Sequence, residues 1–94
     1  MRIGVVGRKE FALGFYVAGI PDVYFVETEE EFNKKIDELY QSDYGLIICD
    51  NKFKVDRKIL KKYLGKTFPV LLYLGDVSQL KEEIKEALGI EVMK

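Results

Sequence analysis

The chain has 94 residues, 48% of them hydrophobic, which suits one small domain with a single modest core and argues against disorder. Fifteen basic and sixteen acidic residues leave a net charge of −1, which removes the usual electrostatic case for nucleic-acid binding. One cysteine and no histidine exclude an intrachain disulfide framework, histidine-based acid–base catalysis and zinc sites of the usual kinds.

In chain order, Ile3 to Val6 is a β-branched run closed by Gly7, a first strand. Phe11, Ala12, Phe15, Tyr16 and Ala18 predict a first helix, ended by Gly19, Ile20 and Pro21. Val23 to Val26 is a second strand. Thr28 and Glu31 have capping-box spacing and open a second helix with Phe32, Ile36, Leu39 and Tyr40 on one stripe. On the opposite side, Glu30 with Lys34 and Glu31 with Lys35 are spaced for ion pairs.

Leu46 to Cys49 is a third strand, followed by Asp50 and Asn51 as turn or cap residues. Val55, Ile59, Leu60 and Tyr63 mark a third helix, with Arg57, Lys58, Lys61 and Lys62 outward and Gly65 at its close. Val70 to Leu74 is a fourth strand, with Pro69 at its start. Asp76 and Ser78 offer caps to a last helix carrying Leu80, Ile84, Ala87 and Leu88, stopped by Gly89.

Strands that are apolar throughout, alternating with helices, predict a parallel sheet covered on both faces. The expected fold is a small α/β, Rossmann-like or flavodoxin-like three-layer domain with four parallel strands in the order 2-1-3-4. Residues 1–75 would form the α/β body, and 76–94 a C-terminal helix and tail. The longest apolar run, PVLLYL at 69–74, is far short of the ~20 residues of a membrane span, so no direct membrane insertion is expected. The N-terminus moves straight into a strand pattern without a signal-peptide layout, and a cytoplasmic location is expected.

The reaction sites such a fold often carries are each weak here. A dinucleotide loop needs G-x-G-x-x-G on the turn after the first strand, whereas Gly4 lies inside the strand and the glycine after Gly7 is Gly14. A phosphoacceptor receiver would use Asp50, but Mg²⁺ needs further carboxylates. The matching position after the first strand holds two cations, Arg8 and Lys9. Asp50 therefore reads as a helix cap. Cys49 lies inside an apolar strand and reads as a small buried hydrophobe. Tyr24, Tyr44 and Tyr63 are expected near the edges. No catalytic residue, cofactor or metal ligand is expected, and a binding or structural module is favoured over an enzyme.

MRIGVVGRKEFALGFYVAGIPDVYFVE resembles the N-terminus of the F subunits of the archaeal/vacuolar-type ATP synthases and ATPases. Gly14-Phe15-Tyr16-Val17-Ala18-Gly19-Ile20 matches that family's G-F-x-x-A-G-[IV] helix. The likeness continues through the capped acidic helix, Gly45 to Ile48, Pro69-Val70 and Ala87-Leu88-Gly89-Ile90, and spans almost the whole chain in order.

The resemblance implies that residues 12–20 are a packing helix rather than a phosphate cradle. Gly7, Gly14 and Gly19 would be structural glycines, with Gly14 and Gly19 allowing close helix–sheet approach and a tight exit, and the apolar residues between those two core. It implies a non-catalytic rotor subunit of the central stalk, cytoplasmic and peripheral to a membrane-bound complex, coupling ATP synthesis or hydrolysis to ion transport. The implied partners are the D subunit, which forms the shaft of the central stalk, and, through the C-terminal helix, the catalytic head. Leu80, Ile84 and Leu88 form the expected partner-binding stripe, with Lys81 and Lys85 at its rim. The alternative is a stand-alone receiver-like, regulatory or ligand-binding domain.

Overall fold

The computed structural model describes residues 2–75. Its elements are β1 (Arg2–Gly7), α1 (Lys9–Val17), β2 (Asp22–Phe25), α2 (Glu29–Tyr40), β3 (Tyr44–Asp50), α3 (Arg57–Lys62) and β4 (Val70–Leu74). All strand pairs are parallel and the sheet order is β2-β1-β3-β4, as expected. The expected last helix lies outside the described residues.

Alternation along the central strands divides the core between two faces. Val5, Ile48 and Leu74 point to the α1 side, where Phe11, Ala12 and Phe15 cover them. Val6, Ile47 and Cys49 point to the other side, against Phe32, Ile36, Leu39 and Tyr40 of α2. Phe53 closes that second cluster by stacking on Phe32, ring centroids 5.2 Å apart. Each large side chain removed fully from water contributes about 1.5–3 kcal/mol.

The caps show why the helices begin where they do. Thr28 accepts from the Glu31 N–H at 3.1 Å, as predicted. The Glu31 carboxylate reaches back one residue further than a standard capping box, to the Glu27 N–H at 2.8 Å. Lys35 pairs with Glu38 rather than Glu31. The third helix starts later than its apolar spacing suggests: Asp56 caps it through the Lys58 N–H, so Val55 stays in the preceding loop. Ile59 and Tyr63 face the core, whereas Leu60 is exposed.

Two further expectations change. The stretch after Gly14 is only partly core, because Phe15 is buried while Tyr16 and Val17 are exposed. Tyr44 is buried rather than peripheral: its ring lies under Gly4, and its hydroxyl bonds Arg2 and Tyr24.

Candidate functional site

In an open α/β sheet of this order, the strand order reverses between β1 and β3, and the carboxyl ends of those strands flank the crevice where ligands usually sit. Here an arginine and an aspartate from those two strand ends meet each other. Gly7 ends β1, Arg8 follows as the first cap of α1, and Asp50 ends β3.

Asp50 is fully buried. Its Oδ2 accepts from the Arg8 backbone N–H at 3.1 Å and from Arg8 Nε at 2.7 Å. Its Oδ1 accepts from Arg8 Nη2 at 3.3 Å and from the Lys52 N–H at 3.1 Å. Burial would raise the Asp50 carboxyl, but these donations outweigh it and hold the group below the usual carboxylate range.

The carboxylate lies beside the start of α1, bonded to the N–H of its cap residue Arg8. Asp50 caps no helix, contrary to the sequence reading. It closes the turn after β3 and ties that turn to α1. The pairing also withholds Asp50 from receiver chemistry, which needs a reachable carboxylate. Among the described residues, no three His, Cys, Asp or Glu side chains are grouped to hold a metal.

Gly7 is required by this arrangement. A Cβ there would lie 2.5 Å from Phe11 Cδ2 and 2.6 Å from Asp50 Cβ, closer than real contacts allow. Gly19 has a different role. It has φ +109° and nothing within 4 Å of a notional Cβ, so it serves the helix exit and not close packing against the sheet. Gly14 lies within α1 and is half-buried.

Cys49 is buried in β3, and burial, with the neighbouring Asp50 charge, pushes its thiol up to about 12. It behaves as packing, as expected. Leu80, Lys81, Ile84, Lys85 and Leu88 lie outside the described residues.

Sequence reading misses the Arg8–Asp50 pair because the two residues are 42 apart. It also misses the apolar side chains left in water, including Leu60 on α3, Leu64 just after it, and Tyr16 and Val17 on α1. Among the described residues, no helix is long and apolar enough to cross a membrane.

The sequence model of the family described as ATP synthase (F/14-kDa) subunit matches residues 3–90. The F subunit of the A-type ATP synthase of Archaeoglobus fulgidus is 30% identical, over 99% of this chain and 98% of its own length. That of Methanococcoides burtonii is 32% identical over the whole of both chains. That of Methanocaldococcus jannaschii is 33% identical over 98% of this chain and 99% of its own. The chain belongs to the ATP synthase F-subunit family.

Proposed function

We propose that this chain is a non-catalytic rotor subunit of an A-type ATP synthase, seated in the central stalk as a peripheral, cytoplasmic part of the complex. It binds the D subunit that forms the shaft and helps couple ATP synthesis or hydrolysis to ion movement. The observation that carries this reading is the end-to-end match to proteins named as F subunits of A-type ATP synthases. The Arg8–Asp50 pair supports the non-catalytic part, since it engages the carboxylate that ends β3.

The contact with the shaft is assigned to Leu80, Ile84 and Leu88. They recur every four residues, as an apolar stripe entering a partner groove does. Lys81 and Lys85 would set register at its rim more than affinity.

Co-expression with the shaft protein from the same source, followed by size-exclusion chromatography with light scattering, tests the reading. A one-to-one complex is expected. The pair Leu80→Asp and Ile84→Asp is expected to weaken it. Separate elution of the two wild-type proteins at micromolar concentration would overturn the assignment. Wild-type yield from the double variant would remove the stripe from the interface.

A further inference from the structure

The charge of this chain is unevenly placed. Residues 52–66 hold seven basic residues and one acidic one, a net +6, so with a total of −1 the other residues carry −7. All seven cations are exposed.

They are not equivalent. Lys62 pairs with Asp37 of α2 at 3.2 Å, and Lys66 donates to the Tyr40 carbonyl. The other five form no ion pair among the described residues; of these, Lys52 and Lys54 precede α3, while Arg57, Lys58 and Lys61 lie on it. Those three border Leu60 and Leu64, which are 42% and 82% exposed.

Arg57, Leu60 and Lys61 are spaced i, i+3, i+4 on one face of α3, and Leu64 follows one residue past the C-cap Tyr63. The Leu64 N–H bonds the Lys61 carbonyl, which holds Leu64 in the turn that closes α3. The opposite face is anchored: Tyr63 stacks on Tyr40, centroids 4.4 Å apart, and its hydroxyl donates to the Asp37 carboxylate and accepts from Gln41. The outward face is therefore presented rigidly, which lowers the cost of binding.

We propose that this face of α3 docks an acidic amphipathic helix of a neighbouring protein in the complex, at a second contact distinct from the C-terminal stripe; this rests on the chain being part of the synthase. The leucines one turn apart fit apolar positions one turn apart on the partner, and the unpaired cations fit flanking Asp or Glu. A polyanionic surface fits less well. The −7 carried by the rest of the chain, including Glu29, Glu30 and Glu31 at the start of α2, opposes an extended anion while leaving a single acidic helix attracted locally.

The test is carbodiimide coupling in the assembled complex, which joins a lysine amine to a contacting carboxylate without a spacer. Linkage of Lys58 or Lys61 to Asp or Glu on a helical segment of a neighbouring protein is expected. The triple variant Arg57→Glu, Lys58→Glu, Lys61→Glu is expected to weaken retention in the complex at least about tenfold at physiological salt. The neutral pair Lys58→Gln, Lys61→Gln should weaken it less. Thermal unfolding checks that each variant folds.

A triple variant that is retained like wild type, with no linkage from these lysines, overturns the inference and leaves the assignment to the synthase standing. A wild-type chain that fails to incorporate overturns both. Binding of the isolated chain to anionic phospholipid vesicles, abolished in the triple variant, would replace the helix by a lipid surface. Self-association abolished by the same changes would replace it by a second copy.

Discussion

The backbone N–H and the guanidinium of Arg8 converge on one oxygen of Asp50, at 3.1 and 2.7 Å. Asp50 is completely buried, while the Arg8 side chain is 31% exposed, so the two depend on the pair unequally. Arg8 can turn to water if its partner is lost, whereas Asp50 cannot. Arg8→Ala should therefore cost about 2–3 kcal/mol, somewhat below the usual loss for breaking a buried pair, because the Arg8 and Lys52 N–H groups continue to donate. Denaturant unfolding measures it.

The same pair predicts a response to acid. Asp50 binds its proton less tightly in the folded protein than in the unfolded chain. Its contribution is present above the unfolded value, near pH 4, and is lost as pH falls through the lower folded value. Arg8→Ala removes a cause of the lowering, so its acid-unfolding midpoint should move to higher pH than wild type. Asp50→Asn should be less stable at neutral pH and lose less further stability on acidification. Circular dichroism followed from pH 7 to pH 2 separates the three proteins, and an unchanged midpoint for Arg8→Ala would contradict the account.

Gly7 and Gly19 should fail for different reasons. Gly7→Ala forces a methyl against Phe11 and Asp50 and should cost about 1–3 kcal/mol as overpacking. Gly19→Ala meets no atom but places a side chain at φ +109°, at a cost of about 1–2 kcal/mol. Truncating Phe11 to Leu should rescue part of the first loss and none of the second. Equal rescue of both would show that packing is not what distinguishes them.

The parallel sheet is legible in the sequence because largely apolar strands alternate with helices, and right-handed crossovers restrict the order those strands can take. The Arg8–Asp50 pair is not, although both residues stand out. Set singly against known chemistries, Arg8 reads as a misplaced cation and Asp50 as a cap. The available signal is their joint position: β1 and β3 are neighbours in this order, so the residues ending them meet, and an aspartate ending an apolar strand needs a donor. The start of α3 is misleading because Val55 fits the spacing of Ile59 and Tyr63. Asp56 is the better guide, since a cap satisfies amide groups that Val55 cannot. For Leu60, periodicity identifies the helix without showing which side the sheet would cover.

Cys49 offers a test of packing on the α2 face. Burial in β3 pushes its thiol up to about 12, so the thiolate is scarce at neutral pH and access is closed as well. A maleimide or disulfide reagent should react only through opening of the sheet, far more slowly than with the unfolded chain. The rate should rise in Arg8→Ala by the factor set by its loss of stability if global unfolding is the route. Fast labelling of the native wild type would show that β3 opens locally.

The anchoring of α3 yields the last prediction. This six-residue helix has no fully buried residue of its own, so Ile59 and the Tyr63 cluster must hold it against α2. Tyr63→Phe keeps the stack on Tyr40 and removes the hydroxyl that joins Asp37 and Gln41, at about 0.5–1.5 kcal/mol. Tyr63→Ala removes the stack as well and should cost markedly more. Asp37 is held below the usual carboxylate range, first by the Tyr63 hydroxyl and then by Lys62. Losing that hydroxyl should therefore raise the Asp37 pKa, measurable by carboxyl-detected NMR titration. Hydrogen exchange across 57–63 should also speed up in Tyr63→Ala while that of β1 and β3 changes little. If exchange instead rose uniformly, α3 would be part of the global folding unit and not a separately anchored surface element.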